Sequence, residues 1–174
     1  MTQETIERTF QVAAPARLNL RNICGSVDLR SGPEGAISVT AVKQTHTGDS
    51  ERTKIKFTQE ADGSVNIATR FPDGAWIWLF GSHPCCVDYF VKAPRACSLR
   101  VEGVSHTTVV EGFEGQFDFN SVGGELSLRD LTGPVRVRTV SGPVSAENLS
   151  GRLKLDSVSA DAEFKQVKLA SVEA

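Results

Sequence analysis

The amino-acid sequence predicts an all-β fold, a β-helix-like β-solenoid made of nine-residue strand–turn units with 18 residues per turn. From Cys97 to Ala174 the chain divides into units of nine without an insertion. The third, fifth and eighth places of these units are apolar almost throughout, and Gly, Pro and Ser stand at the junctions. Side chains two apart share one face of a strand, whereas the spacing typical of a helix is missing.

Alternate units differ at the seventh place, which sets the period at 18 residues. From residue 115 onward, Ser or Thr stands there in one set of units, and Asp, Asn or Gln stands there in the other. If each turn lies about 4.8 Å above the last, residues eighteen apart form columns that point into a dry interior. At the eighth place we expect one internal column of Val104, Val122, Val140 and Val158, and another of Phe113, Leu131, Leu149 and Val167.

The space between these columns needs further apolar side chains, and the third and fifth places supply them. The residues expected there are Leu126, Leu128, Val135, Val137, Leu153 and Leu155. A charge introduced into the central column, as in Val140→Asp, is expected to unfold the protein because it would be buried without a partner.

Outward-facing charged residues support the same register, because opposite charges tend to fall on neighbouring units. An exposed ion pair stabilises a protein by only some tenths of a kcal/mol, so these rows indicate register rather than stability. The three expected rows are Asp118, Arg136 and Lys154; Asn120, Arg138 and Asp156; and Arg129, Glu147 and Lys165.

The first half of the chain shows the same pattern less regularly. Units that begin at Ala16, Gly25 and Gly35 are expected to form the first turns of the same stack. A polar loop is expected at 44–51. Further strands are expected at 54–58, 64–69 and 87–91.

These elements predict a single elongated domain over residues 1–174. Residues 1–96 form its irregular N-terminal half, with an insertion at 71–86, and residues 97–174 carry the regular nonapeptide repeats. Within the insertion, Trp76, Trp78 and Phe80 share one face of an extended segment. They form either a buried strand that caps the stack or an interaction surface, since Trp is enriched where binding energy is concentrated.

The composition limits the classes of partner and location. A formal charge of −2 gives no overall field that attracts nucleic acid or an anionic membrane. No apolar run approaches the roughly 20 residues that a membrane span needs, and residues 1–10 lack the apolar stretch of a signal peptide. As it stands the sequence predicts a cytoplasmic protein, and a cell-surface location if the chain is part of a longer protein.

No metal site or cofactor is expected. His83, Cys85, Cys86 and Cys97 are zinc-type ligands, but they lack a Cys-x-x-Cys pair, and adjacent cysteines bind one ion poorly. Reduced thiols are expected for all four cysteines, Cys24 included. The turns also lack the Gly-Gly-x-Gly-x-Asp pattern of nonapeptide arrays that bind calcium.

No catalytic site is expected either. The three histidines, His46, His83 and His106, have no patterned Ser, Cys or carboxylate neighbour. Solenoids that cleave polysaccharides place charged clusters in grooves formed by long inserted loops, and residues 97–174 carry no insertion. The sequence therefore favours a protein that is not an enzyme.

Two motifs give the chain a resemblance to a known family. Phe10, Val12 and Pro15 fit an opening phrase Phe-x-Val-x-x-Pro, and Leu18 to Val27 approximate Leu-x-Leu-x-Asn-x-x-Gly-x-Val. With the Gly- and Val-rich units that follow, the chain resembles the bacterial putative-adhesin domain family of unknown function, except over 71–86. The resemblance implies a β-solenoid with an adhesive, scaffolding or envelope-related role, and it implies no catalytic residues.

The predicted function is a non-enzymatic structural or interaction module that binds a protein partner or associates with itself. Self-association is expected through the exposed end of the stack or through the aromatic residues of the insertion. The alternatives are a ligand- or metal-binding regulatory protein centred on His83 to Cys97, and a carbohydrate-active enzyme, which would need an acidic cluster on one folded surface.

Overall fold

The computed structural model describes residues 3–46, 49–71 and 83–173, with the backbone alone at 105, 106 and 169–173. The regular elements within these ranges are all β-strands. They are β1 (Gln3–Gln11), β2 (Ala16–Ser31), β3 (Ala36–Gln44), β4 (Lys54–Gln59), β5 (Val65–Arg70), β6 (Cys86–Ala93), β7 (Cys97–Glu111), β8 (Phe117–Gly123), β9 (Leu126–Thr132), β10 (Val135–Ser141), β11 (Val144–Ser159), β12 (Ala162–Lys165) and β13 (Lys168–Glu173).

The strands form one hydrogen-bonded sheet, and its parallel part closes on itself. β7 pairs with both β8 and β9, β8 pairs with β10, and β11 pairs with both β9 and β10, which completes a circuit. The fold is a seven-stranded parallel β-barrel with additional strands. The expectation of an all-β protein is confirmed, but the predicted β-solenoid of nine-residue units with 18 residues per turn is wrong.

The physical reason for this error lies in the long strands. β7 has 15 residues and β11 has 16, so each runs through the junction between two nine-residue units without a turn there. The first part of β7 pairs with β8 and its last part pairs with β9. The repeat therefore sets the register of a closed sheet instead of marking separate strand–turn units.

That register joins residues eighteen apart. Val135 pairs in parallel with Phe117 on one side and with Leu153 on the other. The three rows of outward charged residues expected from the sequence are confirmed as cross-strand neighbours, for example where Arg136 pairs with Asp118 and with Lys154.

The N-terminal half enters the sheet through β2. Ala16 pairs in parallel with Cys97, and β2 also pairs in parallel with β5 and β6. The strands expected at 54–58, 64–69 and 87–91 are confirmed as β4, β5 and β6. The unit that begins at Gly35 differs from expectation, because it forms β3, which runs antiparallel to β1 and β6.

The core is apolar, and one of the two predicted columns lies in it. Phe113, Leu131 and Leu149 are 0%, 0% and 2% exposed, and Val167 packs partly buried against the core. Each fully buried side chain of this size contributes about 1.5–3 kcal/mol through removal of apolar surface from water. The expected filling residues are also buried or packed against the core: Leu126, Leu128, Val135, Val137, Leu153 and Leu155.

Candidate functional site

The second predicted column lies on the surface. Val104, Val122, Val140 and Val158 are 52%, 51%, 46% and 82% exposed, so the expectation that they form the central interior column is wrong. We call these four residues the valine row. Each follows one of four residues, Gly103, Ser121, Thr139 and Ser157, which are successive partners across β7, β8, β10 and β11.

The valines point outward because the strands continue their alternation through the seventh place. In β10, Val135, Val137 and Thr139 are buried, and Val140 therefore falls on the opposite face. The inward hydroxyl of Thr139 donates to the carbonyl oxygen of Ser141 at 3.0 Å. The equivalent hydroxyl of Ser121 donates to the carbonyl oxygen of Gly123 at 2.8 Å, so a polar residue at this place keeps a hydrogen-bond partner.

The other set of units interrupts the alternation with a left-handed residue at the seventh place. Asp130, Asn148 and Gln166 have φ values of 51°, 54° and 51°. The change of backbone direction returns the eighth place to the interior, where Leu131 and Leu149 lie. Asp and Asn adopt this conformation more readily than most residues, so the seventh place carried a sequence signal that distinguishes the two columns.

Val104, Val122 and Val140 line a surface groove of about 680 Å³, and Val158 continues the row beyond the residues that line it. Ile23 extends the row on β2, since its chain neighbours Asn22 and Cys24 pair with the residues on either side of Val104. On the side of the row that follows the valines in each strand, the chain leads into Gly123 and Ser141, which carry no charge. The groove is therefore apolar along the row of valines, and the residues on one side of the row are small and uncharged.

Part of the groove is lined by a buried polar network. Asn22 donates to the carbonyl oxygen of Val87 at 2.8 Å and accepts from the Thr69 hydroxyl at 3.1 Å. The hydroxyls of Thr69 and Tyr89 lie 2.6 Å apart. Burial raises the pKa of Tyr89 to about 12, although its bond to Thr69 opposes the rise. The phenol is therefore neutral at physiological pH, and the network anchors β2, β5 and β6 beneath the groove.

Arginine and carboxylate side chains line the other flank. Arg21 and Arg100 donate to the two carboxylate oxygens of Glu102 at 2.5 and 2.9 Å. Burial opposes ionisation of Glu102, but the hydrogen bonds and charges of the two arginines outweigh it, so the pKa of Glu102 is lowered. Nearby, Arg138 lies 3.9 Å from Asp156. All three arginine side chains are about half exposed or more, so they are available to a ligand.

This groove belongs to a larger basic face. Three further grooves of about 540, 400 and 730 Å³ share Arg21, Arg100 or Thr69 with it. Eleven Arg and Lys residues and five Asp and Glu residues line the four grooves, a net charge of +6. Because the whole chain has a formal charge of −2, the remainder carries −8. The sequence total therefore concealed a strongly basic face.

The cysteines differ from expectation. Cys24 on β2 and Cys86 on β6 form a disulfide with a Cα–Cα distance of 4.6 Å, so the expectation of four reduced thiols is wrong. Cys85 and Cys97 are free and buried, and burial raises the pKa of the Cys97 thiol to about 12. The metal set considered from the sequence is not assembled, since no group of three metal-ligating side chains occurs among the described residues.

The aromatic residues proposed as an interaction surface, Trp76, Trp78 and Phe80, lie outside the described residues. His46 and His83 are exposed. Within the described ranges, no helix is long and apolar enough to cross a membrane.

The sequence matches no protein-family model, and no curated protein is significantly similar to it. In fold the chain is similar to a solved structure named a putative cell adhesion protein from Clostridium sporogenes, with a TM-score of 0.52, 10% identity and coverage of 98% of this chain and 100% of the other. Putative adhesins from Bacteroides fragilis and Parabacteroides distasonis match at TM-scores of 0.36 and 0.35, each with 6% identity over 98% of this chain and 96% and 97% of theirs, too low to establish a shared fold. The solved structure that shares this fold is thus named as a bacterial putative cell adhesion protein, and at 10% identity the likeness extends to the fold alone.

Proposed function

We propose that the chain is a non-enzymatic protein-interaction module whose contact surface is the groove along the valine row. The observation that carries this proposal is the exposure of four aligned valines, each close to half exposed or more, on neighbouring strands. Scattered exposed apolar residues are ordinary, but contiguous apolar surface rimmed by polar residues is typical of an interaction site.

The surroundings of the row also favour a protein contact. Protein interfaces combine an apolar centre with a polar rim, and arginine is enriched in them. Here the valine row is the centre, and Arg21, Arg100 and Arg138 lie along one side. The name of the Clostridium structure, a putative cell adhesion protein, is in line with an adhesive role for this chain.

Three observations support a role without catalysis. The described residues that line the groove include neither His nor Cys. The Cys97 thiol, with a pKa of about 12, is protonated at neutral pH and is a poor nucleophile. A polysaccharide-cleaving enzyme would need an acidic cluster, whereas the grooved face is basic.

The disulfide bears on location. Stable disulfides are typical of oxidising compartments and rare in the cytosol. The bond between Cys24 and Cys86 therefore favours the cell-surface alternative over the cytoplasmic one.

Self-association is the more specific form of the proposal. Within the described part of the chain, β12 and β13 each pair only with β11, so each has an edge that offers unpaired backbone groups. A second copy could add to these edges or cover the valine row. Both outcomes are distinguishable from binding of a different protein by the mass of the complex.

Site-specific photo-crosslinking tests the proposal. A benzophenone amino acid is placed at Val122 in the groove and, as a matched control, at Phe90, which is 49% exposed on β6 and does not line the groove. We expect irradiation in the source organism to give a protease-sensitive adduct from position 122 that is weak or missing from position 90. Its mass identifies a second copy or another protein. Equal adducts from both positions, or an adduct removed by nuclease or glycosidase, would contradict the proposal.

A further inference from the structure

We infer that the groove along the valine row receives an amphipathic α-helix of a partner protein, oriented across the strands, with carboxylates along one side of the helix. This inference rests on the proposed function, since it names the chemistry of the partner that binds there. It follows from the spacing of the valines and from the one-sided distribution of charge.

The spacing matches a helix. The four valines lie on neighbouring strands, so successive side chains are about 4.8 Å apart, at about 0, 4.8, 9.6 and 14.4 Å along the row. A helix rises about 1.5 Å per residue, which places residues i, i+3, i+7 and i+10 at about 0, 4.5, 10.5 and 15 Å. Measured along the row, the position of each apolar helix residue therefore differs by less than about 1 Å from the position of a valine.

An extended segment fits this row poorly. Side chains on one face of a strand are about 6.8 Å apart, so a strand laid along the row would be about 6 Å out of register by the fourth side chain. An added strand would also need an unpaired edge, whereas β7, β8 and β10 each have partners on both sides. The groove is therefore suited to the docking mode in which a helix places apolar anchors at heptad spacing.

The charges orient the helix. Arg21, Arg100 and Arg138 lie on the side of the row that precedes the valines in each strand, whereas Gly123 and Ser141 lie on the other. A helix with carboxylates on one flank would pair them with these arginines and would place its uncharged flank over the glycine side. Glu102 and Asp156 leave each arginine further donors, because a guanidinium has five N–H groups.

A protein helix fits better than an anionic polymer. RNA or an acidic polysaccharide would engage the arginines but would offer little apolar surface to the valine row. The described residues that line the groove also include no aromatic side chain on which bases could stack. An anionic polymer is therefore an outcome that the experiment must distinguish.

The probe is a synthetic 18-residue peptide, helical through a side-chain staple, with leucine at i, i+3, i+7 and i+10 and glutamate along one flank. Its binding to the intact protein is measured by fluorescence anisotropy. We expect saturable binding that weakens at least tenfold for Val122→Ser/Val140→Ser and at least tenfold for Arg138→Glu. Phe90→Ser, a change of the same kind outside the groove, should leave the Kd unchanged, and circular dichroism verifies that each variant is folded.

Two control ligands make the inference falsifiable. A stapled peptide of the same composition, with its leucines distributed around the helix, should bind at least tenfold more weakly than the amphipathic one. If dextran sulfate or polyuridylic acid binds the wild type, it should bind the Val122→Ser/Val140→Ser variant with the same Kd. Equal binding of the two peptides, no binding of either, or tight polymer binding that competes with the peptide would overturn the inference. If the amphipathic peptide fails to bind while the crosslink from position 122 still captures a protein, the helix inference fails and the proposed function stands.

Discussion

The outward orientation of the valine row is tested by making one substitution on both faces of one strand. Val137 and Val140 both lie on β10, but Val137 is 1% exposed and Val140 is 46% exposed. Threonine keeps the branched shape and the strand preference of valine and replaces one methyl group with a hydroxyl. At position 137 the hydroxyl is buried, which costs about 1–3 kcal/mol without a partner, and a lost methyl contact adds about 0.8 kcal/mol. Val137→Thr should therefore lower the free energy of unfolding by about 2–4 kcal/mol, and Val140→Thr by less than about 0.5 kcal/mol.

The assay is urea unfolding followed by far-UV circular dichroism, with free energies obtained at a common m-value. Val140→Asp gives a larger contrast: it should cost at most about 1 kcal/mol, whereas Val137→Asp buries a charge and should prevent folding. Similar losses from both threonine variants, or a Val140→Asp protein that does not fold, would refute the outward orientation. The proposed contact surface would be refuted with it.

Three further predictions concern the cysteines, one buried phenol and one glycine. Cys24→Ser/Cys86→Ser should lower the free energy of unfolding by about 4 kcal/mol, because the disulfide closes a loop across a sequence separation of 62 residues, and reduced wild type should unfold at the same urea concentration. The raised pKa values of Cys97 and Tyr89 contribute stability that is fully present below their ordinary pKa values and is lost as pH rises from about 9 to about 12. The thiol accounts for about 4 kcal/mol of this loss, so Cys97→Ala should flatten the decline in the free energy of unfolding that urea titrations measure at alkaline pH. An unchanged decline would contradict burial of the thiol. Gly133→Ala places a Cβ 1.9 Å from the carbonyl oxygen of the glycine eighteen residues earlier, at φ +126°, so it should cost more than about 3 kcal/mol. A thermal midpoint within about 2–3 °C of wild type, equivalent to about 1 kcal/mol, would show that this close approach is wrong.

The strands and their register were accessible from the sequence because both depend on local patterns. Alternation at the third and fifth places locates the buried residues of β8 to β11, and the period of 18 gives the cross-strand partners of residues such as Arg136. The closure of the sheet was not accessible, because it depends on β7 and β11 continuing through the junction between two units. A glycine or serine at a junction is compatible with a turn and with an extended strand, so composition alone does not decide between them.

The candidate site was missed for two different reasons. The valine row was assigned to the interior because all eighth places were treated alike, although the seventh place distinguishes left-handed Asp130 and Asn148 from extended Thr139. The basic face was hidden by a net charge of −2, which averages a face of +6 with a remainder of −8. The disulfide joins residues far apart in sequence, and no spacing rule predicts that Cys24 meets Cys86.

The identity of the residue in the exposed row itself argues for contact with a partner. Valine has a high strand preference, which alone would explain its presence on a β-sheet. Threonine has a similar shape and preference, and the seventh place next to the row shows that this chain uses threonine and serine in these strands. Threonine would serve the isolated fold equally well at these four positions. The exposed valines leave apolar surface in contact with water, and this exposed surface does not stabilise the isolated fold. That surface becomes favourable only when another apolar surface covers it, which is the condition that a helix with leucines at heptad spacing would satisfy.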